Sequence, residues 1–404
     1  MGRERTSSPT SRWPGGCSIR DSVQLAGPRR FTQLALRHGV LYEPLPDDLL
    51  ALSEMHEGRR ALAAGGLGIG RLAQRIHALT DALLKSEWHA AHAFWPDLIV
   101  YHPKSIASPH MAERIGCRSI MASPLPVHTP TSEFPTPIVP WRTLGPLNRL
   151  SHTVVERHLM CLFSKPILKW RRKTLGLPEH PRLRLAPDRK LYAYSRHLVP
   201  FPKDWGRHIH VTGAWWLQEP DCRLPAELER FLSVGAPPVY VALAGLPERL
   251  AHDLAHTTVR AARMLGKRVL FATAGRPIGT LRSSDVLAVA DVPLDQVLTR
   301  ADMIFHHGGA ASTAAALRAG KPSAIHAAVG EEHFWARRVH DLGAGPPPLK
   351  VKRLSAEGIA TFMRAMDAPV LRDKVRQLSS QMRDEGGIDD AVRVIEQLQR
   401  VVGR

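Results

Sequence analysis

Residues 303–319 (MIFHHGGAASTAAALRA) hold the types and order of groups that bind an anion. A short apolar run ends in His306 and His307; Gly308 and Gly309 follow, then Ser312 and Thr313, then an alanine-rich stretch. The glycines let backbone approach a ligand where a Cβ would intervene. A helix starting here presents unpaired N–H groups and the positive end of its dipole. Ser312 and Thr313 add hydroxyls, Ala311 is small, and His307 can donate to a phosphate oxygen. The chemistry expected of residues 307–313 is to hold and neutralise a diphosphate. A lone glycine pair would mark only a turn. Strand, histidine, Gly-Gly, Ser-Thr and helix in that order carry the anion reading.

Other reactive groups are less specific. His102, His110 and His128 fall in expected loops and could accept a proton, but the chain has 21 histidines and packed or exposed ones are the default. The sequence therefore assigns no catalytic residue. Cys17, Cys117, Cys161 and Cys222 stand far apart, with no CxxC and no Cys/His pair at zinc spacing. No metal site, no cofactor and a reducing, cytoplasmic setting are expected. No apolar run reaches the length of a membrane span, and the first residues lack the apolar core of a secretory signal. Residues 1–6 fit the myristoylation pattern, which is short enough to be met by chance.

The anion-binding turn needs a sheet to hold it. In the second half, short apolar runs at 239–243, 268–272, 286–289, 303–305 and 323–325 read as buried parallel strands. They alternate with helical patterns at 250–265, 294–300, 311–319, 332–341 and 355–366, followed by closing helices at 369–383 and 389–402. This rhythm predicts a doubly wound α/β domain. The first half reads as strand 23–26, helices 28–38 and 71–86, then strand 97–101, helix 105–115 and strand 119–122, a βαβ unit. Seven prolines between residues 124 and 146 exclude a helix there and predict a structured loop. A helix over 151–175 and strands at 191–194 and 208–211 complete this part.

A chain of 404 residues is too long for one core, so two domains are expected. The divisions are a disordered leader at 1–20, a first domain at 21–211, a linker at 212–238 rich in Pro, Gly and Trp, a second domain at 239–385 and a C-terminal helix at 386–404. Lys plus Arg exceed Asp plus Glu by 55 − 37 = 18, which favours anionic partners. The excess is dispersed, densest at 165–173 (KPILKWRRK), with no aromatic-basic interleaving. No nucleic-acid partner is expected. An arginine-rich composition is the first reading of the charge, and peripheral contact of a basic face with a membrane the second.

At this point the residues resemble a known family. The words VPLDQVL (292–298), FHHGGAAST (305–313), AALRAGKPS (315–323) and FWARRV (334–339) resemble the C-terminal signature of the UDP-glycosyltransferase superfamily, closest to bacterial sterol-glucosyltransferase and antibiotic-glycosyltransferase types. VTGAWWL (211–217), PPVYV (237–241), HPKSIASPH (102–110), PLPVHTPTSEFP (124–135) and LGPLNRLS (144–151) also resemble it. The resemblance implies a GT-B fold, two Rossmann-like doubly wound domains facing a cleft. It implies a UDP- or dTDP-sugar on the second domain, a small lipophilic acceptor on the first, and no metal. It places the diphosphate on His307, Gly308, Gly309, Ala311, Ser312 and Thr313, the nucleobase against the Val292 backbone, and the donor sugar near Glu331 and Glu332.

The chain departs from that pattern at three places. Ala242-Leu243-Ala244-Gly245 stands where the family has a Gly-rich word ending in Gly-Ser, so one serine contact to the diphosphate is missing. Glu331-Glu332 replaces Asp-Gln, which puts a second charge near the diphosphate unless that side chain turns away. Residues 1–22 do not resemble the family's opening strand and loop, which usually supply the base, so the first domain is expected to be N-terminally incomplete. The expected activity is transfer of a hexose to a hydroxyl of a sterol, polyketide or glycolipid. The alternative is a catalytically impaired relative that binds a nucleotide-sugar or a partner.

Overall fold

The computed structural model describes residues 22–54, 66–179, 185–217, 223–276, 278, 281, 283–327, 330–349 and 355–400. The expected leader at 1–20 lies outside the described residues. Eleven strands and fourteen α-helices follow in the described chain. They form a two-stranded sheet, a four-stranded sheet and a five-stranded sheet. The described residues form two compact units, one drawn from the ranges 22–122, 157–190 and 395–400, the other from 123–156 and 191–394.

The first unit opens with β1 (Gln24–Pro28) and β2 (Leu41–Leu45), paired in parallel from Gln24↔Leu41 to Pro28↔Leu45. A 3₁₀ turn (Arg29–Phe31) and α1 (Thr32–Arg37) connect them, and α2 (Asp48–Glu54) follows. The sequence pattern shows β1 and α1 but not β2, because Pro44 within Leu41–Leu45 reads as a strand breaker. Next comes α3 (Gly66–Phe94), longer than the expected helix at both ends. It buries Ile76, Thr80, Leu84, Glu87 and Ala90, spaced as one stripe of a helix. Strand β3 (Leu98–Tyr101), α4 (Ser108–Ile115) and β4 (Arg118–Ser123) form the expected βαβ unit, with β3 and β4 parallel.

The expected helix at 151–175 is three elements: α5 (Asn148–Cys161), α6 (Ser164–Trp170) and a π-helical turn (Arg171–Leu175). Ile167, Trp170 and Leu175 pack with Leu84, Ala107 and Met111. Arg171 is fully buried, yet all three of its donor groups are used. It reaches Glu113 at 2.6 Å, Nδ1 of His110 at 2.7 Å and the Pro178 carbonyl at 3.0 Å. The densest basic run is thus partly internal, and its Arg172 pairs with Glu179 at 2.7 Å.

Strands β5 (Arg189–Tyr192) and β6 (Ile209–Val211) complete the four-stranded sheet, of order β3-β4-β5-β6. The proline-rich segment at 124–146 is a structured loop, as expected, held by side chains of the second unit. His152 puts one ring nitrogen 3.1 Å from the Val127 carbonyl and the other 3.1 Å from that of Phe134. Asp204 accepts hydrogen bonds from Thr131 at 2.7 Å and from the Ser132 backbone at 2.9 Å.

The rest of the second unit follows the doubly wound pattern. Helix α7 (Ala226–Ser233) precedes β7 (Val239–Ala242), α8 (Glu248–Met264), β8 (Val269–Ala272) and β9 (Val286–Val289). Then come α9 (Leu294–Leu298), β10 (Met303–His306), α10 (Ala310–Arg318), β11 (Ser323–Ile325) and α11 (Glu331–Asp341). Helices α12 (Ala356–Met366), α13 (Pro369–Arg383) and α14 (Ile388–Arg400) close the chain. Ser355 caps α12 by accepting from the Gly358 N–H, as a serine at that position should. The sheet is parallel throughout, in the order β11-β10-β7-β8-β9.

Alternate residues of its strands face opposite layers. Val239, Val241, Val269, Phe271, Met303 and Phe305 pack on α8 and α12. Tyr240, Leu270, Leu287 and Ile304 pack on α7, α9 and α10. Fully burying one such side chain contributes about 1.5–3 kcal/mol, which fixes the strand ends where the site lies. No helix among the described residues is long and apolar enough to cross a membrane.

Candidate functional site

The five-stranded sheet reverses its winding between β7 and β10. From β7 the chain moves outward through β8 and β9, then returns to the other side of β7 as β10. The loop after β7 leads to α8 on one face, and the loop after β10 leads to α10 on the other. Loops that part in this way open a crevice at the carboxyl edge of a parallel sheet, the usual ligand position in this architecture. Both chemically informative segments, 242–245 and 306–313, lie at this edge.

At the end of β10, His306 is buried and His307 half-buried. Gly308 follows at φ +90°. A Cβ there would stand 2.6 Å from Cγ2 of Ile325 and 3.2 Å from the Glu332 carbonyl oxygen, so the position demands glycine. Gly309 is the extended N-cap of α10 and supplies no side-chain cap. Its missing Cβ makes room for His307, whose Nε2 lies 2.7 Å from where that Cβ would be. The imidazole is therefore folded over the start of α10. Within that first turn Ala311 is exposed and Ser312 half-buried, so the helix opens outward there. Alanines 315 and 316 let α10 lie close to the sheet.

Thr313 stands apart from its neighbours. It is fully buried, and its hydroxyl donates to the Gly309 carbonyl at 2.9 Å. That bond duplicates the backbone one from the Thr313 N–H to the same oxygen at 3.0 Å and locks the first turn. In this arrangement Thr313 serves the helix, and Ser312 is the hydroxyl nearer the opening.

Val292 follows β9 on the same edge of the sheet. Its side chain is in the core, and its N–H donates to the Asp291 carboxylate at 2.9 Å. Glu331 and Glu332 open α11, where two carboxylates favour the positive end of the helix dipole. Glu332 is buried and its backbone lies against Gly308, while Glu331 is half-buried.

Two groups were not singled out from the sequence. Arg276, after β8, donates to the Leu246 carbonyl and ties the β8 loop to the β7 loop. His326, after β11, puts Nε2 3.3 Å from the Ala242 carbonyl. Neither carries a local signal, because each bonds a carbonyl distant in sequence. Ala274 at φ +53° sits on the same edge, an unusual conformation for a residue with a Cβ.

Of the candidate proton acceptors, His110 accepts from Arg171, and burial with that neighbouring cation pushes its pKa down to about 4. It is a structural histidine. His102 accepts from the Lys104 N–H at 3.1 Å, and His128 lies 3.7 Å from Glu156.

Comparisons with known proteins identify relatives of the chain as a whole. Residues 270–398 match the family described as erythromycin biosynthesis protein CIII-like, C-terminal domain. A sterol 3-beta-glucosyltransferase of Arabidopsis thaliana is 29% identical over 92% of this chain, which spans only 60% of that protein's length. O-mycaminosyltylonolide 6-deoxyallosyltransferase of Streptomyces fradiae is 31% identical over 74% of this chain and 72% of its own length. The solved glycosyltransferase VinC in complex with dTDP has a TM-score of 0.60 at 17% identity, covering 93% of this chain and 91% of that one. The α/β architecture with its parallel sheets is thus that of GT-B glycosyltransferases.

Proposed function

We propose that this chain, which belongs to the UDP-glycosyltransferase superfamily, transfers a hexose from a UDP- or dTDP-sugar to a hydroxyl of a lipophilic acceptor such as a sterol, polyketide or glycolipid. The observation that carries this reading is the start of α10, where His307 folds over Gly309 at the switch point of the sheet. His307, Gly308, Gly309, Ala311 and Ser312 hold the diphosphate there, with Thr313 fixing the turn from inside. The Val292 backbone meets the nucleobase, and Glu331 and Glu332 lie toward the sugar. The relatives support this: one is a sterol glucosyltransferase, one acts on a tylonolide, and one solved neighbour holds dTDP.

In the proposed step the acceptor oxygen bonds to the anomeric carbon. The bond to the diphosphate breaks, and its electron pair leaves with the nucleotide. The α10 N-terminus and His307 stabilise that leaving charge without a metal ion. The acceptor proton passes to a base to which no residue is assigned. We place the reaction in the cytoplasm, with a basic face able to rest on a membrane that carries the acceptor. The test is incubation of the purified chain with UDP-glucose or a dTDP-hexose and a sterol or macrolide acceptor. A new glycoside with stoichiometric nucleotide release supports transfer. Nucleotide binding without product across both acceptor classes supports the impaired relative instead.

A further inference from the structure

Two buried imidazoles stand behind the proposed diphosphate site. His306 ends β10 and is 1% exposed; His326, just past β11, is 0% exposed. Nδ1 of His306 accepts the Gly308 N–H at 3.1 Å, so the proton of the neutral ring sits on Nε2. Nε2 of His326 faces the Ala242 carbonyl, which can only accept, so this ring too carries its proton on Nε2. Burial holds both rings below the ordinary imidazole range, His326 at about 4, and both are neutral at pH 7. The remaining nitrogens, Nε2 of His306 and Nδ1 of His326, have no hydrogen-bond partner among the described residues.

An apolar side chain would fill either space without burying an unpartnered ring nitrogen. Each ring's role therefore lies in the nitrogen it does use. Without His306 the buried Gly308 N–H, held in a turn at φ +90°, would lose its acceptor. His326 spans β10 from β11 to the last carbonyl of β7, and its own N–H donates to the His306 carbonyl at 3.0 Å. One ring thus serves the loop after β10, the other the loop after β7.

We propose that His306 and His326 are positioning residues of the nucleotide-diphosphate site, His306 setting the Gly308 turn that starts α10 and His326 setting the end of β7. This rests on the donor-site reading above. The test is a crossed pair of amide substitutions. Asparagine places an oxygen near the position of Nδ1, and glutamine places an amide near Nε2. His306→Asn and His326→Gln should keep UDP affinity within about threefold, whereas His306→Gln and His326→Asn should lose about tenfold, the scale of one buried hydrogen bond. In parallel, the Gly308 amide should resist hydrogen exchange in the wild type and His306→Asn but not in His306→Gln. Equal behaviour of both variants at a position overturns its role. If the wild type binds no UDP, the donor reading fails, and Gly308 exchange still decides the role of His306. Should a variant not fold, ring nitrogen shifts of the wild type decide: Nε2–H on both rings at pH 7 is expected, and Nδ1–H on either refutes its assignment.

Discussion

Replacing Gly308 by alanine separates two costs that the structure assigns to this one position. The first is conformational. A residue with a Cβ at φ +90° leaves its favoured backbone region, at about 1–2 kcal/mol. The second is steric. The new Cβ would stand 2.6 Å from Cγ2 of Ile325, a side chain only 2% exposed, and 3.2 Å from the Glu332 carbonyl oxygen. Ile325 is a strand residue enclosed in the core, and the Glu332 backbone moves only if α11 moves, so relief requires a shift costing about 1–3 kcal/mol. The sum is about 2–5 kcal/mol. Gly320→Ala is the control. It shares a positive φ of +70°, but its Cβ would meet only the Ser379 side chain, at 3.4 Å or more, so the conformational cost stands nearly alone. Urea unfolding of both variants measures the difference. Gly308→Ala should be the less stable by about 1–3 kcal/mol, with weakened UDP binding. Equal losses in the two variants would refute the close packing behind the Gly308 turn.

Three other outcomes follow from the same structure. His307→Ala should weaken UDP or dTDP binding by about 1–3 kcal/mol in a calorimetric titration, as loss of a charge-assisted hydrogen bond does, and unchanged affinity removes His307 from the site. Glu87, buried on α3, has its pKa pushed up to about 7 by burial, against a lowering from the Ser105 hydroxyl at 2.7 Å. Its native pKa is raised, so its contribution is complete below about pH 4.5 and is lost as pH rises to about 7. Glu87→Gln should therefore gain on the wild type over that window, by up to about 3 kcal/mol at pH 8, and a stability difference flat with pH would contradict the assignment. Glycosyl transfer should persist in excess EDTA, since the helix end and His307 supply the positive field; its loss, with recovery on adding a divalent ion, would show that a metal is required.

The second unit was largely legible because its strands are short apolar runs between helical patterns. VYVA, VLFA and MIFH are buried on both faces, so no alternation was needed to recognise them. The strand, turn and helix over residues 303–318 were legible because the apolar run, the glycines and the alanine-rich stretch follow one another in sequence. What pairs across distance was not. His326 meets Ala242 and Arg276 meets Leu246, and neither pair leaves a local pattern. The burial of Thr313 was also hidden, since a hydroxyl at a helix start reads the same whether it faces a ligand or its own backbone. In the first unit, Gly66, Gly68 and Gly70 read as breakers although α3 runs through them. The break between α5 and α6 is marked only by Pro166 in the first turn of α6, while the helical pattern runs on across it.

The central claim is that the edge of the five-stranded sheet at β7 and β10 binds a nucleoside diphosphate through the start of α10. Calorimetric titration of the purified chain with UDP, dTDP and UDP-glucose tests it most directly. Saturable one-to-one binding of UDP or dTDP, weakened in His307→Ala, is the predicted result. A folded chain that binds none of the three would contradict it.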